Sequence, residues 1–120
     1  MMSLTTQAKE LSKFFNQFAT AYVEDNVPIG STFPYITYSI SSPNFNSQQN
    51  TVVRVYSKGS SLVKIFEIAD KITDVITDNG IVINNEEGAI YFTKGSPFCQ
   101  FLADEDDVKS LYINLTTQVI

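Results

Sequence analysis

Residues 51–80 read TVVRVYSKGSSLVKIFEIADKITDVITDNG, and a change of period inside them decides the fold. Residues 51–57 are rich in β-branched side chains, with Val53 and Val55 on one side and Val52, Arg54 and Tyr56 on the other. That two-residue alternation is the mark of a strand with one buried face. Lys58, Gly59 and Ser60 break it, and Ser60 or Ser61 can cap a second helix. Leu62, Ile65, Phe66, Ala69, Ile72, Val75 and Ile76 then recur at helical spacing as far as Asn79 and Gly80, a pair suited to a left-handed helix end. A strand thus passes directly into an amphipathic helix.

Upstream, Leu4, Ala8, Leu11, Phe15, Phe18 and Tyr22 share one helical face, with Gln7, Lys9, Glu10, Lys13 and Gln17 opposite. Ser3 or Thr5 can cap this first helix. Pro28 and Gly30 end the pattern, and residues 25–33 read as a connection. In residues 35–40, Ile36, Tyr38 and Ile40 alternate with Thr37 and Ser39, which predicts a strand. Residues 41–50 are polar and too long for a tight hairpin, so a mobile loop is expected.

Downstream, residues 81–84 and 89–93 flank Asn85-Glu86-Glu87-Gly88, the signature of a hairpin. Gly95, Ser96 and Pro97 interrupt, residues 98–102 form a short extended piece, and the acidic run 104–107 makes a turn. Residues 111–119 alternate Leu111, Ile113 and Leu115 with Tyr112, Asn114 and Thr116. The expected fold is α+β in a single domain, residues 1–120. It has a mainly antiparallel four- to five-stranded sheet and two helices on one face, in the order α-β-β-α-β-β-(β)-β.

Composition narrows the chemistry. The 120 residues carry eight Lys and Arg against 13 Asp and Glu, a formal charge of −5. Only one of the basic residues, Arg54, is an arginine. Phosphate backbones and anionic membranes are bound through clustered cations, so neither is an expected partner. Residues 1–22 lack the basic start and apolar run of a signal peptide, and no stretch approaches a membrane span. One cysteine, Cys99, allows no intrachain disulfide, which suits a reducing cytoplasm.

The chain has no histidine, which removes the serine triad, the Cys-His dyad and the commonest metal ligand. One cysteine without histidine supplies no zinc ligand set. Neither GxxxxGK[ST] nor GxGxxG occurs. Cofactors and metals are therefore expected to be none, and catalysis is not expected. An enzyme with an unrecognised carboxylate or cysteine site is the weakest of the readings.

A few features invite a binding role. Asp104, Glu105, Asp106 and Asp107 form the one dense acidic run, whose spacing does not match an EF-hand loop. It reads first as a solvated turn, with Asp106 or Asp107 capping a helical turn, and second as a docking patch. Cys99, beside Phe98 and Phe101, reads as a small buried hydrophobe. Phe33, Pro34, Tyr35 and Tyr38 group aromatics at a strand start, where sheet packing competes with a role in stacking or anchoring a partner. Phe14 adjoins Phe15, so it is expected at the edge of the core stripe or exposed as a partner surface.

The order of these motifs resembles a known group. An amphipathic helix leads to Phe33-Pro34-Tyr35-Ile36-Thr37-Tyr38, then to Val52-Val53-Arg54-Val55-Tyr56 and a helix carrying Ile68-Ala69-Asp70-Lys71-Ile72. After them come a hairpin, Gly95-Ser96-Pro97-Phe98-Cys99-Gln100, the acidic run and Leu111-Tyr112-Ile113-Asn114-Leu115. Across roughly residues 5–118 this is similar to the small tail-terminator, tail-completion and minor-capsid proteins of long-tailed phages and prophages of Gram-positive bacteria. The resemblance implies a structural, head–tail joining protein that caps the tail tube. It implies partners that are copies of itself, in a possible hexameric ring, together with tail-tube and neck proteins. By the same resemblance, Asn44, Phe45, Gln48 and Gln49 would belong to a loop reaching a neighbour, and residues 104–107 would face a ring partner or the lumen. A negative lumen would let DNA pass without sticking. The implied location is the host bacterial cytoplasm during assembly and the tail–neck region of the virion afterwards. The alternative is a small cytoplasmic adaptor or regulatory binding domain of bacterial origin.

Overall fold

Two helices lie on one face of a six-stranded mixed sheet, and no described helix or strand covers the other face. The computed structural model describes residues 2–39, 49–59, 62–102 and 107–119. In chain order the elements are α1 (Leu4–Asn16), β1 (Ala21–Val23), β2 (Tyr35–Tyr38), β3 (Gln49–Lys58), α2 (Val63–Val75), β4 (Ile81–Asn85), β5 (Gly88–Leu102) and β6 (Val108–Val119). The strands are ordered β1-β2-β3-β6-β5-β4. All neighbours are antiparallel except β1 and β2, which are parallel.

The α+β class and the helices on one face match the sequence reading, whereas the strand count does not. The short strand β1 falls where the spacing predicts the end of the first helix, which instead stops at Asn16. The Asn16 side chain turns back, its Nδ2 donating to the Ser12 carbonyl and its Oδ1 accepting from the Ala21 amide. Phe18 and Tyr22 merely continue the helical spacing by chance. Residues 89–93 and 98–102, expected as separate pieces, are two parts of β5, with a register shift between Lys94 and Cys99.

The centre of the sheet is the pairing of β3 with β6, from Gln49 opposite Thr117 to Lys58 opposite Val108. On the helix side Ile36, Val53, Val55, Ile113 and Leu115 are wholly buried. Each such side chain contributes roughly 1.5–3 kcal/mol through removal from water. From above, α1 and the turn after it supply Leu11, Phe14, Phe15 and Phe18, and α2 supplies Ile65, Ile68, Ala69 and Ile72 to the same core.

The two helix starts are satisfied differently. Ser3 caps α1, its Oγ accepting from the Thr6 amide at 3.1 Å. Leu62 occupies the N-cap of α2 without a side-chain cap, while Ser60 and Ser61 lie outside the described residues. After α2 ends at Val75, Gly80 sits in a separate turn at φ +82° rather than as the helix terminus. Phe66, placed on the core stripe by its spacing, is 44% exposed. Conversely Gln7, assigned to the polar side of α1, is buried, with its Nε2 donating to the Met2 carbonyl. The stripe of α1 is thus rolled towards Gln7, Leu11, Phe14 and Phe18, and Leu4 is left exposed.

Candidate functional site

Alternation along each strand sends every second side chain to the uncovered face, and the register aligns these into rows. Tyr22, Thr37, Arg54, Tyr112 and Gln100 stand directly opposite one another across β1, β2, β3, β6 and β5. A second row is formed by Tyr35, Tyr56 and Ser110. Tyr35 is the hub of the aromatic group. Its ring stacks on Tyr56 at 5.1 Å and meets Tyr22 at 5.9 Å and Phe33 at 5.1 Å. Burial raises the Tyr35 phenol above its ordinary pKa, with smaller upward contributions from Tyr56 and Tyr22. It is therefore a hydrogen-bond donor throughout the neutral range.

Arg54 occupies the middle of the first row. Its guanidinium lies 4.4 Å from the centre of the Tyr112 ring, an attractive cation–π arrangement. Nη2 donates to the Tyr112 hydroxyl and Nη1 to the Tyr56 hydroxyl at 3.5 Å. Nε is buried and makes no hydrogen bond. Lys94 with Asp78, at 3.4 Å, is the ion pair among the described residues, so no described carboxylate is in direct contact with Arg54. The row therefore offers a fixed positive charge framed by phenol rings.

Beside Arg54 is a cleft of about 290 Å³, lined by Glu24, Asp25, Val27, Tyr35, Thr37, Arg54 and Tyr56. Its far wall is the turn after β1. There the Glu24 amide donates to the Tyr38 carbonyl at 2.8 Å and Asp25 takes φ +65°, a left-handed geometry that acidic side chains tolerate. The cleft is open and carries both signs of charge. Broad apolar rings with a few directed donors are what protein interfaces use at their centres, where Tyr and Arg are enriched.

The residues singled out from sequence fall elsewhere. Phe14 is buried rather than exposed, stacked on Phe92 at 5.2 Å and edge-on to Phe15 and Phe18. It forms the border of the core, with a groove lined by Glu10, Lys13, Gln17, Ile83 and Asn84 on its outer side. Gln49 starts β3, opposite Thr117, and Asn44, Phe45 and Gln48 lie outside the described residues. So do Asp104, Glu105 and Asp106. Asp107 is exposed at φ +63° and its carbonyl accepts from the Gly59 amide at 2.8 Å, tying the end of β3 to the start of β6. It lies in an exposed turn ahead of the last strand, as expected, but caps no helical turn, because β6 begins at Val108.

Cys99 is exposed, not buried, because β4 stops short of it on that side of β5. Partial burial raises the thiol pKa, with a smaller push from the Asp70 carboxylate, so the thiolate is disfavoured. Of the aromatic group, Tyr38 packs under the helices against Phe15 at 4.8 Å, while Phe33 and Tyr35 join the uncovered face. Sequence reasoning misses Tyr112 because it shows which residues share a face but not which strands are neighbours, and misses Tyr22 because its spacing places it on the first helix. The described residues contain no group of three or more metal-ligating side chains and no helix long and apolar enough to cross a membrane. No protein family matches the chain, and no curated protein or solved structure does either.

Proposed function

We propose that this chain is a structural assembly protein of a long-tailed phage or prophage, a tail terminator or another component of the head–tail joint. It acts through contacts with copies of itself in a ring and with tail-tube and neck proteins, and catalyses no reaction. It is made in the host cytoplasm and ends in the tail–neck region of the virion.

The observation that carries this reading is the uncovered sheet face. Tyr22, Tyr35, Tyr56 and Tyr112 surround the chain's one arginine there, with no described element layered over them. Two helices on one face, with the other face left for contacts, is also the layout that the motif order implies. The formal charge of −5 suits a lumen through which DNA slides without binding.

The test mixes the purified chain with tail tubes assembled from the tail protein encoded beside it. The expected result is a ring of copies on the tube end in negative-stain images, lost on Arg54→Ala or Tyr35→Ser with the fold retained by circular dichroism. Neighbouring genes for metabolic enzymes, together with no binding to tubes, would replace this reading with that of a cytoplasmic adaptor.

A further inference from the structure

The chain's one Asn-Gly pair, Asn79-Gly80, lies in the connection between α2 and β4. In such a pair the glycine amide, unhindered by any side chain of its own, can attack the neighbouring side-chain carbonyl carbon. The nitrogen gives up its proton, ammonia leaves and a cyclic imide forms. Water then opens the imide at either carbonyl, giving aspartate or an isoaspartate whose main chain is longer by one methylene. Asn79 is exposed, so water reaches it. Gly80 is required by the fold, since at φ +82° a Cβ would run into the Phe92 carbonyl and the Thr93 and Tyr91 side chains. The labile pair is therefore tied to the architecture through its glycine.

The folded turn holds this reaction back. The Gly80 amide donates to the Thr77 carbonyl at 2.8 Å, and neither Asp78 nor Asn79 has a positive φ. A hydrogen-bonded turn of that kind is type I, which sets ψ of its third residue, Asn79, at about 0°. In the imide, Cβ, Cα, the carbonyl carbon and the Gly80 nitrogen lie in one near-plane. At the ψ of the turn that nitrogen stands well out of the plane, so the peptide group between Asn79 and Gly80 must rotate before the ring can close. Rotation breaks the bond from Gly80 to Thr77. It also swings the Asn79 carbonyl away from the Tyr91 hydroxyl, which donates to it at 2.8 Å. Yet the strand that follows is an edge: β4 pairs with β5 alone among the described strands, and Val82 is 47% exposed. Elements with so few contacts open ahead of the rest of a fold. We propose that Asn79 is a self-modifying site kept latent by this turn and deamidated in chains whose α2–β4 corner has parted from β5. The product adds a carboxylate beside Asp78, the partner of Lys94, and an isoaspartate no longer fits the turn. The modification thus records opening of the corner. It concerns the chain alone, independently of any assembly role.

The test follows Asn79 by mass spectrometry of proteolytic peptides from chain held at mildly alkaline pH, with and without denaturing urea. Asn79 should convert to aspartate and isoaspartate in urea, and at least roughly tenfold more slowly in the folded chain, where two hydrogen bonds must break first. Tyr91→Phe removes only the hydroxyl that holds the Asn79 carbonyl. With circular dichroism unchanged, it should speed conversion at Asn79 by roughly two- to tenfold, the effect of one lost hydrogen bond, and leave Asn114 in β6 at its native rate. Equal rates with and without urea, or no conversion in urea, would overturn the proposal. So would a folded Tyr91→Phe that converts Asn79 no faster than the native chain. The comparison in urea needs no variant and decides the matter even where Tyr91→Phe does not fold.

Discussion

Replacing Phe14 by alanine separates a core role from a partner-binding one. The ring is 6% exposed, stacked on Phe92 at an interplanar angle of 24°, with Phe15 and Phe18 edge-on at 5.1 and 5.4 Å. Truncating a buried phenylalanine removes about 3–5 kcal/mol. The groove on its outer side lets water and the Lys13 and Gln17 side chains close part of the space, which places the expected loss near the lower end, about 3 kcal/mol. Against a usual total of about 5–15 kcal/mol, the variant should stay folded with a clearly lower urea midpoint. The assay is urea unfolding followed by ellipticity, extended to a cycle with Phe14→Leu and Phe92→Leu. The cycle should return a coupling of about 0.5–1.5 kcal/mol for the stacked pair. A loss below about 0.5 kcal/mol, the range of ordinary surface changes, together with altered self-association would refute the placement of Phe14 in the core.

The turns supply two further expected outcomes. Gly80→Ala should destabilise by about 2–4 kcal/mol, combining a left-handed φ of +82° with a Cβ driven into the Phe92 carbonyl and within 2.9 Å of Thr93 Cγ2. Gly80→Asn should be nearly as harmful, because relief of φ leaves the collision; recovery with Asn would show that φ alone matters. Glu87 accepts from Thr6 Oγ1 and from the Ser3 amide, and these bonds, the Thr6 one foremost, lower its pKa from the ordinary 4.5. Its contribution is therefore present above that value and fades as the pH falls through the lower folded one. The difference in urea midpoint between the native chain and Glu87→Gln should shrink from pH 7 to pH 3, and an unchanged difference would mean that the contact with α1 does not form.

The elements with unambiguous period were legible in the sequence. β3, β6 and α2 each bury one face by simple alternation or by 3.6-residue spacing, and the hairpin at residues 85–88 closes where Asn85 Oδ1 accepts from the Glu87 and Gly88 amides. β1 was hidden because three residues are too few to show a period, and Phe18 and Tyr22 happened to extend the helical one. The roll of α1 was hidden too, since it goes with packing against residues distant in sequence, Phe14 stacking on the buried Phe92 at 5.2 Å. That roll is what turns Phe14 inward and Leu4 outward. The exposure of Cys99 depends on where β4 ends, which its own apolar neighbours do not report. The tyrosine rows depend on register, and Arg54 meets Tyr112 across 58 residues of sequence.

The position of β6 bears on how the chain is made. β6 follows the other five strands in chain order yet is slotted between β3 and β5, so the middle of the sheet stays vacant until all of them have been made. Until then β3 and β5 each lack the partner that unites them, and their apolar faces have only the helices for cover. Closing contacts this distant in sequence is slow compared with forming local ones. Deleting residues 108–119 would thus remove the keystone and release two half-sheets, rather than trim an edge.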